Sequence, residues 1–500
     1  MESKFAQLRN YLAEAMDLYY VSELLSWDQQ TNMPPAGAET RGHTIGTVER
    51  LFHLRLISPE LGQLLEDLKS EVGNLDPDSD DARLYKVTLR EYERRTKVPP
   101  ELVTELAETI GLAYSTWERA KAESNFSLFQ PYLEKIVGLR RTFANLFAPF
   151  DHVYDPLLAM YEPGMKTSEV KEIFSALRPQ QVALIHEITS KPQVDDKPLH
   201  QYFDPQKQWD FGVDVISKFG YDWNKGRQDQ VVHPFTVGMG YGDVRITTRI
   251  IPDYVGSALF STMHECGHAL FEMGIDYSLE RTLLAAEISL AVHESQSRMW
   301  ENLVGRSLPF WEYFYPRLQQ TFPGKLDDVS LDTFYKGINK VEPSPIRIEA
   351  DEATYNLHIM LRLELEIALM EGSLEVKDLP EVWNSRMKEY LGITPKNDAE
   401  GVLQDVHWSH GNFGYFSTYA LGNLIAAQLW ECINKDIPNL DDQFRRGDFG
   451  ALLAWLREKV HRHGGKFDAQ ELVQKITGSK IDSAPYMRYL RNKYQDIYGI

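Results

Sequence analysis

The chain has few cysteines and fewer basic than acidic residues. Its 500 residues include only Cys266 and Cys432, so no disulfide framework is predicted and a reducing compartment is expected. The 53 Lys and Arg residues are outnumbered by 73 Asp and Glu residues, which gives a formal net charge of −20. Nucleic-acid-binding proteins carry basic surfaces. We therefore expect no nucleic-acid partner.

The sequence also lacks the apolar runs that lead a chain to or across a membrane. The first residues do not form a basic segment followed by an apolar core, so we expect no signal peptide. Residues 406–430 contain no Asp, Glu, Lys or Arg, but polar residues such as His407, His410 and Asn423 interrupt them. We expect no membrane partner, and we interpret this uncharged segment as a buried one that lines a functional site.

Apolar residues recur at helical spacing along most of the chain, which predicts a mostly α-helical fold. Neither a repeat nor a long linker is seen, so we expect one domain over 1–500, formed of one lobe or of two lobes around a groove. Helices are predicted over 4–26, 38–56, 59–71, 81–95, 99–123, 127–149, 167–189, 204–219, 328–340, 349–371, 378–389, 417–434 and 449–460.

The segment 231–251 is the exception to this helical pattern. It is rich in Val, Ile and Thr, and the glycine-rich run 238–243 lies in its middle. This composition predicts a small β-hairpin. The hairpin either lines a cleft, where an extended peptide can pair with it by strand addition, or is purely structural.

The most informative stretch is 264–268, which reads His-Glu-Cys-Gly-His inside a predicted helix over 253–274. Histidines four residues apart lie on one helix face, so His264 and His268 can reach the same metal ion. Glu265 projects beside that ion, where it can accept a proton from water. Cys266 is interpreted as a small packing residue rather than a nucleophile. The stretch predicts a zinc hydrolase.

Two histidines leave a catalytic zinc ion one protein ligand short, because such an ion has three protein ligands and one open position. A predicted helix over 284–303 offers Glu287 and Glu294, which lie on nearly the same helix face. Glu294 follows His268 far enough along the chain for one helix to end and the next to return beside it. Spacing alone does not choose between these two carboxylates.

Six strings of residues occur in order along the chain. They are His233-Pro234-Phe235, Asp243-Val244-Arg245-Ile246-Thr247, 264–268, His293-Glu294-Ser295-Gln296, Ile346-Arg347-Ile348-Glu349-Ala350-Asp351 and Gly401-Val402-Leu403-Gln404-Asp405-Val406-His407-Trp408. The strings match the six motifs of the carboxypeptidase Taq-like (thermostable carboxypeptidase) family of zinc metallopeptidases, and this resemblance covers essentially the whole chain.

The resemblance implies a large helical metallopeptidase fold with a deep substrate groove, similar to angiotensin-converting enzyme and neurolysin. It implies a metal-dependent carboxypeptidase that removes residues one at a time from the free C-termini of peptides, as a homodimer in the cytoplasm. It also selects Glu294 as the third ligand, beside His264 and His268. Zn²⁺ is the expected ion, although Co²⁺ or Mn²⁺ also accept imidazole and carboxylate ligands.

The remaining site residues are expected to act on the peptide. Glu265 is the expected general base. The oxyanion that forms during attack needs a protein donor, for which Tyr415 and His407 are the candidates. Aromatic packing is an equally good interpretation of Tyr415.

A carboxypeptidase also needs a group that binds the free carboxylate of its substrate. Arg347 is the preferred candidate, because a guanidinium binds a carboxylate through two parallel hydrogen bonds, and Asp351 is expected to orient it. Arg245 is either a second contact or the ion-pair partner of Asp243, and His233 is a further candidate for substrate binding.

Two rival functions remain open at this point. An oligoendopeptidase on the same scaffold would not need a carboxylate-binding arginine. A peptide-binding relative without catalysis would not need Glu265, so the intact motif argues against it.

Overall fold

A computed structural model describes residues 3–286 and 289–500, and it confirms a mostly α-helical fold. One cluster of buried apolar side chains extends from Leu8 to Tyr498. The helices are α1 Lys4–Thr31, α2 Ala38–Leu56, α3 Pro59–Val72, α4 Asp80–Lys97, α5 Pro100–Ala122, α6 Phe126–Asn145, α7 Asp155–Leu158, α8 Thr167–Thr189, α9 Pro205–Phe219, α10 Val255–Glu272, α11 Leu290–Arg298, α12 Leu308–Thr321, α13 Leu331–Ile338, α14 Tyr355–Glu371, α15 Leu379–Leu391, α16 Ser417–Asp436, α17 Leu440–Phe444, α18 Gly450–Lys459, α19 Ala469–Thr477 and α20 Ala484–Tyr498.

The predicted helices agree with these bounds over most of the chain, and 38–56 and 167–189 coincide with α2 and α8. The helix predicted over 284–303 is wrong in its first part, because α11 begins only at Leu290, where Ser289 accepts a hydrogen bond from Val292 N. Its second part is a turn of π-helix, Met299–Val304. Helices α7, α12, α17, α19 and α20 were not predicted. Both α12 and α20 have a proline in the first turn, where the missing N–H is tolerated.

A three-stranded sheet precedes α10. Its strands are β1 Gly226–Gln230, β2 Thr236–Gly238 and β3 Val244–Thr248, in the order β1-β3-β2. The antiparallel pair of β2 and β3 confirms the predicted hairpin, and its turn uses positive φ angles at Gly240 and Gly242. The parallel partner β1 was not predicted, because its polar sequence lacks the β-branched residues that mark a strand.

Two glycines let three helices approach closely around one point. A Cβ atom on Gly267 of α10 would lie 2.6 Å from the Gln296 carbonyl oxygen of α11. A Cβ atom on Gly422 of α16 would lie 2.7 Å from Cγ of Glu294. Such separations are far inside van der Waals contact, so only glycine fits at these two positions without movement of the helices. The close packing of α10, α11 and α16 brings their side chains to one site.

The uncharged segment 406–430 is mostly buried, as predicted, and its second half forms α16. Among the described residues, none of the helices combines the length and apolar character needed to span a membrane. Cys266 is completely buried within α10, which agrees with a packing role, and burial raises the pKa of its thiol well above the usual value.

Candidate metal centre

The side chains of His264, His268 and Glu294 converge between α10 and α11. One ligand atom from each lies within 4.8 Å of the others. Oε2 of Glu294 is 3.6 Å from Nε2 of His264 and 3.4 Å from Nε2 of His268. Donor atoms that share a tetrahedral zinc ion lie roughly 3.3 Å apart, so these three residues fit such an ion. The alternative carboxylate, Glu287, lies outside the described residues.

The ring of His264 is oriented by a second carboxylate. Its Nδ1 lies 2.9 Å from Oε2 of Glu301. Burial opposes ionisation of Glu301, but the hydrogen bond from His264 and the nearby Arg298 hold its pKa at about 2. A carboxylate that accepts the Nδ1 proton leaves Nε2 unprotonated and available to a metal ion.

Glu294 is held by residues one turn further along α11. Nε of Arg298 donates to its Oε1 at 2.7 Å, and the Ser297 hydroxyl donates to its Oε2 at 2.9 Å. Burial opposes ionisation, but Arg298 and His264 keep the pKa of Glu294 well below its usual range. The spacing of Glu294, Arg298 and Glu301 at i, i+4 and i+7 was a readable signal that our sequence analysis did not use.

Glu265 contacts the sheet. The Thr236 hydroxyl of β2 lies 2.7 Å from its Oε2 and 2.9 Å from its backbone oxygen, and burial raises the pKa of Glu265. The hairpin therefore orients the expected base, a role that the sequence did not reveal. The hairpin also lines a cavity of about 120 Å³ that reaches His293, whose ring stacks on His268 with 4.3 Å between ring centres.

Arg347 is buried and belongs to an ionic network. Its Nε and Nη2 donate to Oδ1 of Asp405 at 3.0 and 2.9 Å, and its Nη1 donates to the Tyr355 hydroxyl at 2.9 Å. Asp405 also accepts from Nε of Arg362 at 2.6 Å. The Tyr355 ring lies 4.5 Å from the guanidinium of Arg298, so two residues, Tyr355 and Arg298, connect Arg347 to the expected ligand Glu294.

The expectation that Asp351 orients Arg347 is wrong. Its Oδ1 accepts from the backbone N of Ala353 and Thr354, and its Oδ2 from the Thr354 hydroxyl and the backbone N of Glu342. Asp351 therefore shapes the turn before α14, and Asp405 performs the orienting role. The i+4 spacing misled the sequence analysis, because residues 347–351 are not part of an α-helix.

His407 and Tyr415 lie together, and Nδ1 of His407 is 4.0 Å from Oδ1 of Asp405, the partner of Arg347. Their ring centres are 5.3 Å apart, and Nε2 of His407 is 3.4 Å from the hydroxyl oxygen of Tyr419. Burial lowers the pKa of His407 to about 3, so the ring is neutral. Tyr419, which the sequence analysis missed, lies with its ring 5.1 Å from the Arg347 guanidinium.

Arg245 and His233 differ in their surroundings. Arg245 forms two hydrogen bonds of 2.8 Å with Asp243, as one of the two predictions for it stated, and its guanidinium lies 4.2 Å from the centre of the Trp27 ring. His233 lies exposed in the loop between β1 and β2.

Comparisons with known proteins identify the family of this chain. The family model described as carboxypeptidase Taq (M32) metallopeptidase matches residues 7–494. Thermostable carboxypeptidase 1 of Thermus thermophilus is 41% identical over 508 residues, covering 100% of this chain and 99% of the relative. Carboxypeptidase 1 of Bacillus subtilis is 38% identical, covering 95% of each chain.

Solved structures show the same likeness. The crystal structure of the M32 carboxypeptidase from Deinococcus radiodurans superposes with a TM-score of 0.97 at 38% identity, covering 100% of both chains. The Pyrococcus furiosus carboxypeptidase has a TM-score of 0.95 at 36% identity, covering 99% of both chains. The chain therefore belongs to the carboxypeptidase Taq (M32) metallopeptidase family and is a metallocarboxypeptidase.

Proposed function

We propose that this metallocarboxypeptidase uses zinc, held by His264, His268 and Glu294, to release amino acids one at a time from peptides with free C-termini. The observation that carries the proposal is the convergence of three ligand atoms beside the Glu265 carboxylate. Two imidazoles and one carboxylate are a common ligand set of catalytic zinc in peptidases. The names of the relatives from Thermus thermophilus and Bacillus subtilis support the carboxypeptidase reaction.

When bound by these residues, a zinc ion would act as a Lewis acid and would make the attacking water more acidic. Glu265 accepts the proton of the attacking water and then delivers it to the leaving amine. Thr236 orients the carboxylate through its hydroxyl, and the buried position of Glu265 keeps competing water away. The chain thus supplies the base, its orientation and a desolvated setting.

The oxyanion that develops on the substrate needs a donor on the side away from the ion. Tyr415 and His407 are our two candidates. In support, both lie against Tyr419 of α16, the helix that packs on Glu294, and the neutral ring of His407 retains one N–H to donate.

Arg347 is proposed to bind the α-carboxylate of the substrate. Its three hydrogen bonds to Asp405 and Tyr355 fix the guanidinium plane. Among the described residues, Nη1 and Nη2 each form one hydrogen bond, and each nitrogen carries two N–H groups, so each retains one to donate to a substrate carboxylate. We propose more distant substrate contacts for Arg245 and His233. Arg245 is held in place by its hydrogen bonds to Asp243 and its contact with the Trp27 ring.

The test of the proposed base is Glu265→Gln, which retains the side-chain size and removes the proton acceptor. We expect turnover to fall about 10²- to 10⁴-fold while the metal content stays at one ion per chain. Glu312→Gln, a change in an α12 carboxylate that pairs with Arg445, is the control and should retain full activity. Turnover within a few-fold of wild type in Glu265→Gln would contradict the assignment.

We further propose a homodimer in the cytoplasm, a single domain and a deep groove over the site. The free cysteines Cys266 and Cys432 support a reducing compartment. Sedimentation analysis of the purified protein should give the mass of two chains, and the mass of one chain would contradict the dimer.

A further inference from the structure

Glu366 of α14 is a completely buried carboxylate outside the six motifs. Its Oε1 accepts a hydrogen bond of 2.8 Å from the Trp408 indole N–H. Its Oε2 accepts from the backbone N of Gly414 at 2.9 Å and from the Tyr154 hydroxyl at 2.5 Å. Burial raises the pKa of Glu366 to about 7, against the effect of these hydrogen bonds and of Arg362. A buried ionisable group with three partners is costly to remove or replace.

The positions of these partners in the chain are informative. Trp408 directly follows His407, and Gly414 directly precedes Tyr415. One carboxylate on a separate helix therefore holds both ends of the loop 408–414. The loop cannot hold itself by ion pairs, because it contains no Asp, Glu, Lys or Arg.

The loop is also seated tightly against its surroundings. Gly414 has a φ of 96°, and a Cβ atom there would lie 2.4 Å from the Leu157 carbonyl oxygen. Nε of Arg140 donates to the Gly411 carbonyl at 2.7 Å. These contacts fix the middle of the loop at Gly411 and its end at Gly414. Glu366 connects the Gly414 end to the Trp408 end.

We propose that Glu366 is a positioning residue for the reaction, which sets His407 and Tyr415 at a fixed separation beside the substrate. The proposal rests on the proposed roles of these two residues at the oxyanion. Glu366 acts through them and does not touch the substrate. Two of its partners, the Trp408 indole N–H and the Gly414 N–H, can only donate, and each occupies a different oxygen of Glu366. A glutamine amide has a single acceptor oxygen, so its NH2 group would face one of these two donors.

The first experiment compares Glu366→Gln with Tyr154→Phe, a matched control. Tyr154→Phe removes one donor to the same carboxylate without loosening the loop. We expect Glu366→Gln to lower kcat about 10- to 100-fold, the effect of displacing a catalytic group by roughly 1 Å, with unchanged metal content and KM. Tyr154→Phe should keep kcat within about 3-fold of wild type. A folded, metal-loaded Glu366→Gln with kcat within 3-fold of wild type would overturn the proposal, as would an equal loss in both variants.

The second experiment is a double-mutant cycle that separates this proposal from the proposed function. Tyr415→Phe, His407→Ala and each of these changes combined with Glu366→Gln are measured by kcat. If Glu366 acts through Tyr415 or His407, Glu366→Gln lowers kcat by a smaller factor when that residue is already substituted than it does in the wild-type protein. Full additivity in both backgrounds overturns the positioning role while leaving the oxyanion roles intact. Wild-type kcat in both Tyr415→Phe and His407→Ala overturns the oxyanion roles and the positioning proposal with them.

If Glu366→Gln does not fold, Trp408→Phe takes its place in both experiments. This change removes the indole N–H that ties one end of the loop to Glu366, together with part of the ring that packs on Trp383 and Phe413, so circular dichroism must show that the variant is folded. A reduction of kcat at constant KM supports the proposal, and an unchanged kcat contradicts it.

Discussion

The metal centre and the region around Arg347 differ in how their residues are distributed along the chain. The metal centre uses α10 and α11 and the short hairpin before them, so its parts lie between Thr236 and Glu301. The Arg347 region joins the turn before α14, the helix α14 itself and the loop that leads into α16. The first region is specified by helix periodicity, whereas the second depends on contacts between distant parts of the chain.

This difference explains which errors the sequence analysis made. At i and i+4 on one helix, His264 and His268 have a fixed relation that the sequence alone predicts. The same spacing between Arg347 and Asp351 predicted a contact that does not exist, because that stretch is not an α-helix. The true partner, Asp405, is separated from Arg347 by the whole of α14 and α15.

The largest expected effect concerns the carboxylate-binding role of Arg347. Removing one partner of a buried charge pair costs about 2–5 kcal/mol, so Arg347→Ala should lose most activity on free-acid peptides. It should lose little more on amidated peptides, which native enzyme should already cleave poorly. Arg347→Lys should recover only part of the loss, since an ammonium group lacks the fork geometry.

The measurement is timed mass spectrometry of one peptide in acid and amide forms. Single-residue losses from the acid form alone support the role of Arg347. Equal cleavage of both forms at internal bonds would instead favour an oligoendopeptidase. Because Arg347→Ala also leaves Asp405 with Arg362 as its ion-pair partner, circular dichroism must confirm that the variant is folded.

The second prediction tests the metal centre through Glu301. Glu301→Gln retains a hydrogen-bond acceptor for Nδ1 of His264 but removes the charge, so the imidazole becomes a weaker ligand. We expect metal affinity to fall about 10- to 100-fold, measured by chelator competition on the purified protein. Glu312→Gln should bind the metal as tightly as wild type. An unchanged dissociation constant in Glu301→Gln would show that the 2.9 Å contact does not tune the ligand.

The third prediction tests the packing that brings the helices together. Gly422→Ala places a Cβ atom 2.7 Å from Cγ of Glu294, so either α16 or the Glu294 side chain must move. Overpacking of this kind costs about 1–3 kcal/mol of stability. The control is Gly138→Ala on the exposed side of α6, where a Cβ atom meets nothing within 4 Å and helix propensity should add about 0.5–1 kcal/mol. Thermal unfolding should move in opposite directions in the two variants, and equal shifts would contradict this account.

The sequence could predict most of the helices, the hairpin and the two histidines of the proposed ligand set, because each follows from a local pattern. The third proposed ligand, Glu294, followed only from the family resemblance. It could not predict that Gly267 and Gly422 mark helix contacts, since a glycine within a helix carries no sign of what it touches. Glu366 shows the same limit. Its three partners come from two other parts of the chain, so only the folded structure reveals them.

The last prediction concerns the pH dependence of stability at His461, a buried imidazole behind the candidate metal centre. Its Nε2 lies 2.9 Å from Oε1 of Gln296, and its ring packs on Phe271 of α10. Burial, with Arg457 and His293, lowers the pKa of His461 to about 3. The folded protein therefore keeps this ring neutral at pH values where the unfolded chain, with an ordinary histidine pKa near 6.5, binds a proton. Between these two pKa values, proton binding stabilises the unfolded state and not the folded one. The free energy of unfolding therefore falls as the pH drops from about 6.5 towards 3, by up to about 1.4 kcal/mol per pH unit.

His461→Asn removes this contribution while its amide can still donate towards Gln296. We expect the variant to be less stable than wild type at pH 7, because the packing on Phe271 is lost. Its stability should then decline less steeply between pH 6.5 and 5. Both proteins carry the same three proposed ligands, so comparing their slopes cancels the protonation of the metal centre itself. Exposed His43 provides the control, and His43→Asn should follow the wild-type slope. Parallel slopes for wild type and His461→Asn would show that this imidazole is not kept neutral by folding, and that the acid sensitivity of the region comes from the ligands alone.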